Sequence, residues 1–434
     1  MPPADVAVIG GGIMGCSIAL ELAKSGRRVR VIDAGPAPGA GSTSSSSAII
    51  RFHYSTREGV IASWESMHMW ADWRSHLGIA DDDRPLATFH RIGVLVIEAP
   101  GDDRRARVLA LFDEIGVPYE EWDARAITAR APAIDARRYW PPKPVEDPTF
   151  WADSEVELDG YFTPDAGFVN DPQLAAQNLA DAARQHGAEF SFNTRVTEIR
   201  SDGGSVTGVS LADGSTINAA VVVNAAGPFS SRVNAMAGVL GDFEGISTRP
   251  LRQEVHSLPS PPAFGMDEGF AVNDIDLGTY FRPHLGGTLL IGGTEPECDP
   301  LVWIDDPDQF DEYPTHESWT AQTTRAARRL PDLEVPSRPI GLGALYDVTP
   351  DWVPIYDRTS LGGYYVAIGT SGNQFKNAPL VGPIMRALVD AADAGQDHDA
   401  EPVVLACPHT GLELGLGHYS RHRQRAQTNQ NVMG

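Results

Sequence analysis

Asp5-Val6-Ala7-Val8-Ile9 runs into Gly10-Gly11-Gly12-Ile13-Met14-Gly15, and Val29-Arg30-Val31-Ile32-Asp33 returns after a helical stretch. The apolar run Val6 to Ile9 reads as a buried strand. Cys16 to Lys24 then sets Ile18 with Leu22 and Ala19 with Ala23 at helical spacing before Gly26 ends it. The order is strand, tight turn, helix, strand. In Gly10-x-Gly12-x-x-Gly15 the first glycine permits the turn, the second lets a pyrophosphate approach the backbone, and the third lets the helix pack close to the strand. The helix N-terminus offers free N–H groups and the positive end of its dipole to phosphate. Asp33 lies 18 residues beyond Gly15, where a carboxylate accepts hydrogen bonds from an adenosine ribose and repels a 2′-phosphate. A glycine triplet alone marks only a turn; with this strand, helix and acid around it, the stretch predicts dinucleotide binding.

The rest of the chain bounds the partners. Its 434 residues suffice for two domains with sizeable cores, and 34 basic against 58 acidic side chains give a formal charge of −24. Such a surface repels nucleic acid and anionic membranes. The first residues carry no basic region with an apolar run of signal-peptide length, and no apolar stretch is long enough to span a bilayer, so a cytoplasmic protein is expected. Cys16, Cys298 and Cys407 are far apart and form no metal spacing.

Gly35 to Ser47 is a loop of Gly, Pro and Ser, but it feeds Ala48-Ile49-Ile50-Arg51 and a helix over 60–77 with a buried face, which predicts a loop pressed on a ligand and not a linker. Helices are further predicted over 104–115, 122–134, 173–186 and about 379–392. A hairpin runs 205–211, Asp213-Gly214, 216–223, and its last residues lead into Asn224-Ala225-Ala226-Gly227-Pro228, a second glycine-bearing strand end. Residues 252–345 read as strand-rich, with a hairpin around Gly286-Gly287, and 406–434 as a disordered tail.

Together, the glycine-rich start, Ile49-Ile50-Arg51, Asn224 to Pro228, Asp347-Val348-Thr349-Pro350-Asp351 and Ser371-Gly372-Asn373-Gln374-Phe375-Lys376 resemble the D-amino-acid-oxidase-like FAD oxidoreductases. The likeness runs over about residues 4–405 and is greatest to the branch of sarcosine oxidase, its beta subunit and dimethylglycine dehydrogenase. It implies an α/β fold with a Rossmann-like FAD-binding domain of discontinuous segments (1–85, 155–240 and 335–405) and an α+β, mixed-sheet substrate domain (86–154 and 241–334). It also implies oxidation of an amine next to a carboxylate.

By the same resemblance, Arg51 grips the substrate carboxylate, Lys376 assists it, Tyr280 faces the flavin, and Val196 clasps the adenine through its backbone. Gly10, Gly12, Ile13, Met14, Gly15, Asp33, Ser42, Thr43, Ala226, Gly227, Gly372, Asn373, Gln374, Phe375 and Lys376 complete the expected cofactor contacts. An arginine suits the role because its fork binds carboxylate through two parallel charge-assisted hydrogen bonds. A surface ion pair is the commoner fate of an arginine, and the apolar run before Arg51 argues against it. Arg282 is a second candidate carboxylate ligand, since it projects from the same sheet face as Tyr280.

The chain departs from the family in places. Ser45 and Ala344 stand where relatives carry flavin-linked histidine and cysteine, so noncovalent FAD is expected. Leu290 and Thr294 replace an oxygen-activating lysine and a nearby histidine, Asn373-Gln374 replaces a His-Gly pair, and Ala48 replaces a second arginine. The expected reaction is hydride transfer from the amine-bearing carbon to flavin N5, giving an imine that hydrolyses. The substrate is an amino acid or N-alkyl amino acid, and oxygen or another acceptor takes the electrons. Oxidation of a 2-hydroxy acid with His53 or His284 as base, tailoring of a larger amine scaffold, and a role as FAD subunit beside a partner remain open.

Overall fold

The strand Val6–Ile9 is buried along its whole length because both of its faces are covered. It pairs in parallel with Val29–Ile32 on one side and Val221–Asn224 on the other, with Val8 opposite Val31 and Val223. Glu189–Ser191, Tyr364–Ile368 and the antiparallel edge Ile355–Arg358 complete a six-stranded sheet drawn from separated parts of the chain. The molecule is described by a computed structural model covering residues 4–80, 84–101, 103–426 and 431–432.

Alternation along the strand sends Val6 and Val8 to one face and Ala7 and Ile9 to the other. On the first face, Ile13–Lys24 packs between Pro172–Gln185 and Ala378–Asp393. The last of these approaches closely because it presents Gly382, where a Cβ would lie 2.4 Å from the Ser17 carbonyl oxygen. On the second face lies a three-stranded sheet, Val196–Asp202, Ser205–Leu211 and Thr216–Asn218. The hairpin expected to run to 223 therefore splits, since Thr216–Asn218 stays with this sheet while Val221–Asn224 crosses into the larger one.

A nine-stranded mixed sheet among the described residues forms the second layer, centred on Thr279–His284 between Thr288–Gly293 and Ala271–Asp274. Asp159–Thr163 and Gly341–Val348 pair into this sheet, although the division made from the sequence puts both with the first layer. The expected helix over 122–134 is shorter, Ala124–Arg130, because Glu120–Asp123 extends the sheet edge. A helix not anticipated in the strand-rich region, His316–Arg329, covers one face of this sheet. Thr315 caps it by accepting from Ser318 N at 3.2 Å. The helix over 60–77 is likewise two, Arg57–Ala71 and Trp73–Leu77, broken at Asp72.

The expectation of a disordered tail from 406 is corrected for the described residues. Val404–Cys407 pairs with Leu412–Gly415, and Leu414, Leu416 and Tyr419 are buried. Two of the basic residues beyond them fold inward, because each finds a buried carboxylate. Arg421 binds Asp357 and Asp399, and Arg423 binds Asp351 through two nitrogens. No helix among the described residues is long and apolar enough to cross a membrane.

Candidate active site

At Gly10 φ is +111°, and a Cβ there would sit 2.2 Å from the Ala225 carbonyl oxygen, so only glycine lets the first strand turn against the third. Gly15 is fixed for a different reason, since its Cβ would lie 1.9 Å from the Gly10 carbonyl oxygen. Asp33 is already oriented: Gly11 N donates to its Oδ2 at 2.5 Å and Gly35 N to its Oδ1 at 2.6 Å. The remaining lone pairs are open to ribose hydroxyls. One expectation changes in detail, because Ile13 N donates to Thr43 Oγ1 at 3.1 Å and its N–H is thereby taken.

Gly10, Gly12, Ile13, Met14 and Asp33 line one cavity of about 820 Å³. Ser42 and Thr43 line it from the loop, and Ser42 Oγ fastens that loop by donating to the Leu345 carbonyl at 2.7 Å. Val196, Ala226 and Gly227 enter from the strand ends, and Gly372, Gln374 and Phe375 from the loop before Ala378–Asp393. Ser45 and Ala344 also line it. Gly15, Asn373 and Lys376, expected among the cofactor contacts, are not among the lining residues. A glycine cradle, an oriented carboxylate and an elongated site between two layers fit FAD. Gly15→Ala is expected to cost about 1–3 kcal/mol in packing, so flavin content measured from visible absorbance should fall clearly below that of the parent protein. Full flavin occupancy in that variant would contradict the cradle.

Beyond Tyr346, which lines the cavity, stands the cationic part of the site. The short strand Ile49–Ile50 pairs with Gly167–Val169 and carries the chain inward, leaving Arg51 4% exposed. Its Nη2 donates to the Val432 carbonyl, and its guanidinium lies 5.3 Å from the Tyr54 ring centroid. Burial draws the Arg51 pKa below its ordinary value, partly offset by Tyr54. Burial, then Tyr280 and Glu295, holds the Tyr346 phenol well above its usual range, while Arg51 pulls it back down.

Lys376 is buried, and its Nζ donates to Tyr54 Oη at 3.0 Å and to the Asn373 carbonyl. Burial pulls its pKa well below the usual lysine value, with Arg51 adding to the effect. Its first contacts are thus with Tyr54 and the Gly372–Phe375 loop. Tyr280 packs its ring on Gly292, where a Cβ would lie 2.4 Å from Cζ. Arg282 donates through Nε to the Ser47 carbonyl at 2.8 Å and through Nη1 to the Pro283 carbonyl at 3.1 Å, and stacks 3.9 Å from the Phe168 centroid. It fixes the serine loop and does not line the cavity.

The two candidate bases are also engaged. His53 Nε2 pairs with Asn273 Nδ2 at 3.0 Å, and burial followed by Arg51 keeps its pKa well below the usual range. His284 Nδ1 meets Arg282 Nη1 at 3.1 Å. The residues that the sequence did not disclose are Tyr54, Tyr346, Glu295 and Val432, none of which belongs to a recognisable motif.

The cradle, the cavity and the buried cations define a flavin-dependent oxidoreductase. The chain belongs to the FAD dependent oxidoreductase family (DAO), which matches residues 5–388. It is 27% identical over 401 residues to glycine oxidase from Geobacillus kaustophilus, an alignment covering 91% of this chain and 94% of that protein. A probable sarcosine oxidase from Arabidopsis thaliana is 24% identical over 412 residues, covering 90% of this chain and 89% of that one. The crystal structure of L-proline dehydrogenase from P. horikoshii shares the fold with a TM-score of 0.76 at 22% identity, over 98% of both chains. FAD is therefore its cofactor.

Proposed function

We propose that this enzyme oxidises an amine carried on the carbon next to a carboxylate, as in an amino acid or N-alkyl amino acid, using noncovalently held FAD. The observation that carries the reading is Arg51, a buried guanidinium beside cavity-lining Tyr346, with its Nη2 on a carbonyl oxygen. A carboxylate in that position would receive two parallel charge-assisted hydrogen bonds, which fixes the neighbouring carbon as well as holding the ligand. Tyr346 forms part of the cavity wall, and Lys376 acts through Tyr54, holding the Gly372–Phe375 loop in shape. FAD, when bound, supplies the acceptor for a hydride leaving the amine-bearing carbon. The imine product then hydrolyses in water. Ser45 and Ala344 at the cavity wall offer neither imidazole nor thiol for a covalent flavin link. Hydroxy-acid oxidation needs a base, and His53, the candidate beside Arg51, has its pKa held well below the usual range by burial and then by Arg51, which makes it a weak one.

Anaerobic titration of the flavin absorbance with N-methyl amino acids, D-amino acids, L-amino acids and 2-hydroxy acids tests the reading. Bleaching by an amine-bearing class is the expected result. The speed of recovery on admitting air separates an oxidase from a dehydrogenase. Bleaching by hydroxy acids alone, or by none of the compounds, would overturn the proposal.

A further inference from the structure

Val432 presents to the site the same atoms an α-amino acid would. Its carbonyl oxygen accepts from Arg51 Nη2, and its N–H donates to Glu295 Oε2 at 2.9 Å. Arg51 and Glu295 thus bracket one N–Cα–C=O unit. Val432 is 7% exposed, and its side chain packs with Leu251, Val348 and Trp352, with Tyr346 against the same cluster. The side chain, the nitrogen and the carbonyl each have a separate receptor.

Two features of Glu295 show that a peptide unit does not satisfy it. Its Oε1 is buried with no hydrogen-bond partner among the described residues. A peptide nitrogen has a single hydrogen to give, whereas an ammonium has three. An unpaired buried carboxylate oxygen is costly, so it marks a place for a ligand richer in donors. Glu295 also holds φ at +50°, a conformation uncommon for a residue with a Cβ. Burial, against the opposing pull of Val432 N–H and Arg51, pushes its carboxyl up to about 8, and a cation at Oε1 would bring it down again.

We propose that Glu295 is the amine-binding residue of this enzyme, receiving the ammonium of an α-amino acid whose carboxylate lies on Arg51 and whose side chain takes the apolar place of Val432, and accepting one ammonium proton at Oε1 so that the nitrogen is neutral when hydride leaves the α-carbon. Binding then displaces the Asn431–Val432 segment, exchanging neutral peptide contacts for charge-assisted ones at both ends, each roughly twice as strong. The inference rests on the amine-oxidation reading and names what that reading leaves open, the partner of the nitrogen.

The test uses the flavin-loaded enzyme and two ligands that have no hydrogen on the α-carbon and so cannot be oxidised: 2-aminoisobutyrate, and 2,2-dimethylpropanoate, in which a methyl replaces the amine. Calorimetric affinities of the parent protein should favour the amine-bearing ligand by about tenfold or more, the size expected for one charge-assisted contact. Glu295→Gln should remove most of that preference while leaving the dimethylpropanoate affinity within about twofold. An undiminished preference in Glu295→Gln overturns the inference and leaves the amine-oxidation reading intact. Failure of the parent protein to bind either ligand defeats both. Val432→Gly, which leaves Glu295 in place, should tighten both ligands about threefold or more by weakening the competitor. Unchanged affinities there rule out displacement.

Discussion

Arg51→Leu is expected to lower kcat/KM for an amine-bearing carboxylic acid by about 10²–10³-fold, because truncating one partner of a buried, hydrogen-bonded charge pair costs roughly 2–5 kcal/mol. Leucine keeps the apolar volume between Tyr54 and Val432, so the loss reports on charge and hydrogen bonding more than on a collapsed core. Flavin content should be retained, since Arg51 is absent from the wall of the cofactor cavity. Arg51→Lys should fall between the two, as it keeps the charge and loses the fork. Steady-state kinetics on the substrate class found by titration, with visible absorbance as the control for flavin, checks both variants. Undiminished kcat/KM in Arg51→Leu, with flavin bound, would falsify the assignment of the carboxylate to this residue.

Arg329→Met is expected to destabilise the folded enzyme by about 3–5 kcal/mol, the range for removing one partner of a buried ion pair. Arg329 is fully buried at the end of His316–Arg329, with Nε on Asp274 at 2.7 Å and Nη2 on Asp276 at 2.9 Å. Its Nη1 donates to the carbonyls of Asp135 and Arg137 at 2.6 and 2.7 Å. One side chain therefore ties a helix, a loop and the turn after Ala271–Asp274, the strand that pairs with Thr279–His284 and so presents Tyr280 and Arg282. Methionine would leave Asp274 buried without its cation and Asp276, among the described residues, with only Arg138 Nη1, 3.6 Å away. The loss should be read as a lowered denaturation midpoint, and adding Asp274→Asn with Asp276→Asn should recover part of it, because the stranded charges are then gone. A single variant as stable as the parent would show that the carboxylates find other partners.

Much of the cofactor side was legible in the sequence because it rests on short-range geometry. The strand, turn and helix of Val6 to Lys24, the role of Gly10 and Gly15, and the reach of Asp33 follow from sterics and spacing within one βαβ unit. Ile49-Ile50 likewise announced a segment that carries Arg51 inward. The helix His316–Arg329 had a signal in Thr315 and the spacing of Trp319, Thr323 and Ala326, but buried Arg325 and Arg329 broke its apolar pattern.

By itself the sequence determined the family, the FAD cradle and the buried cation, since each depends on residue types a few positions apart. Only the tertiary structure decided what the long side chains do. Lys376 turns to Tyr54 and Arg282 to Ser47, because a flexible cation goes to the nearest unpaired acceptor, and that acceptor is placed by distant parts of the chain. Arg51 meets Val432 across 381 residues, and no local pattern encodes such a contact. Glu295 is one of 58 acidic residues and stands in no local motif. Its buried Oε1, without a hydrogen-bond partner among the described residues, and its place opposite Arg51 exist only once both sheets have closed around it.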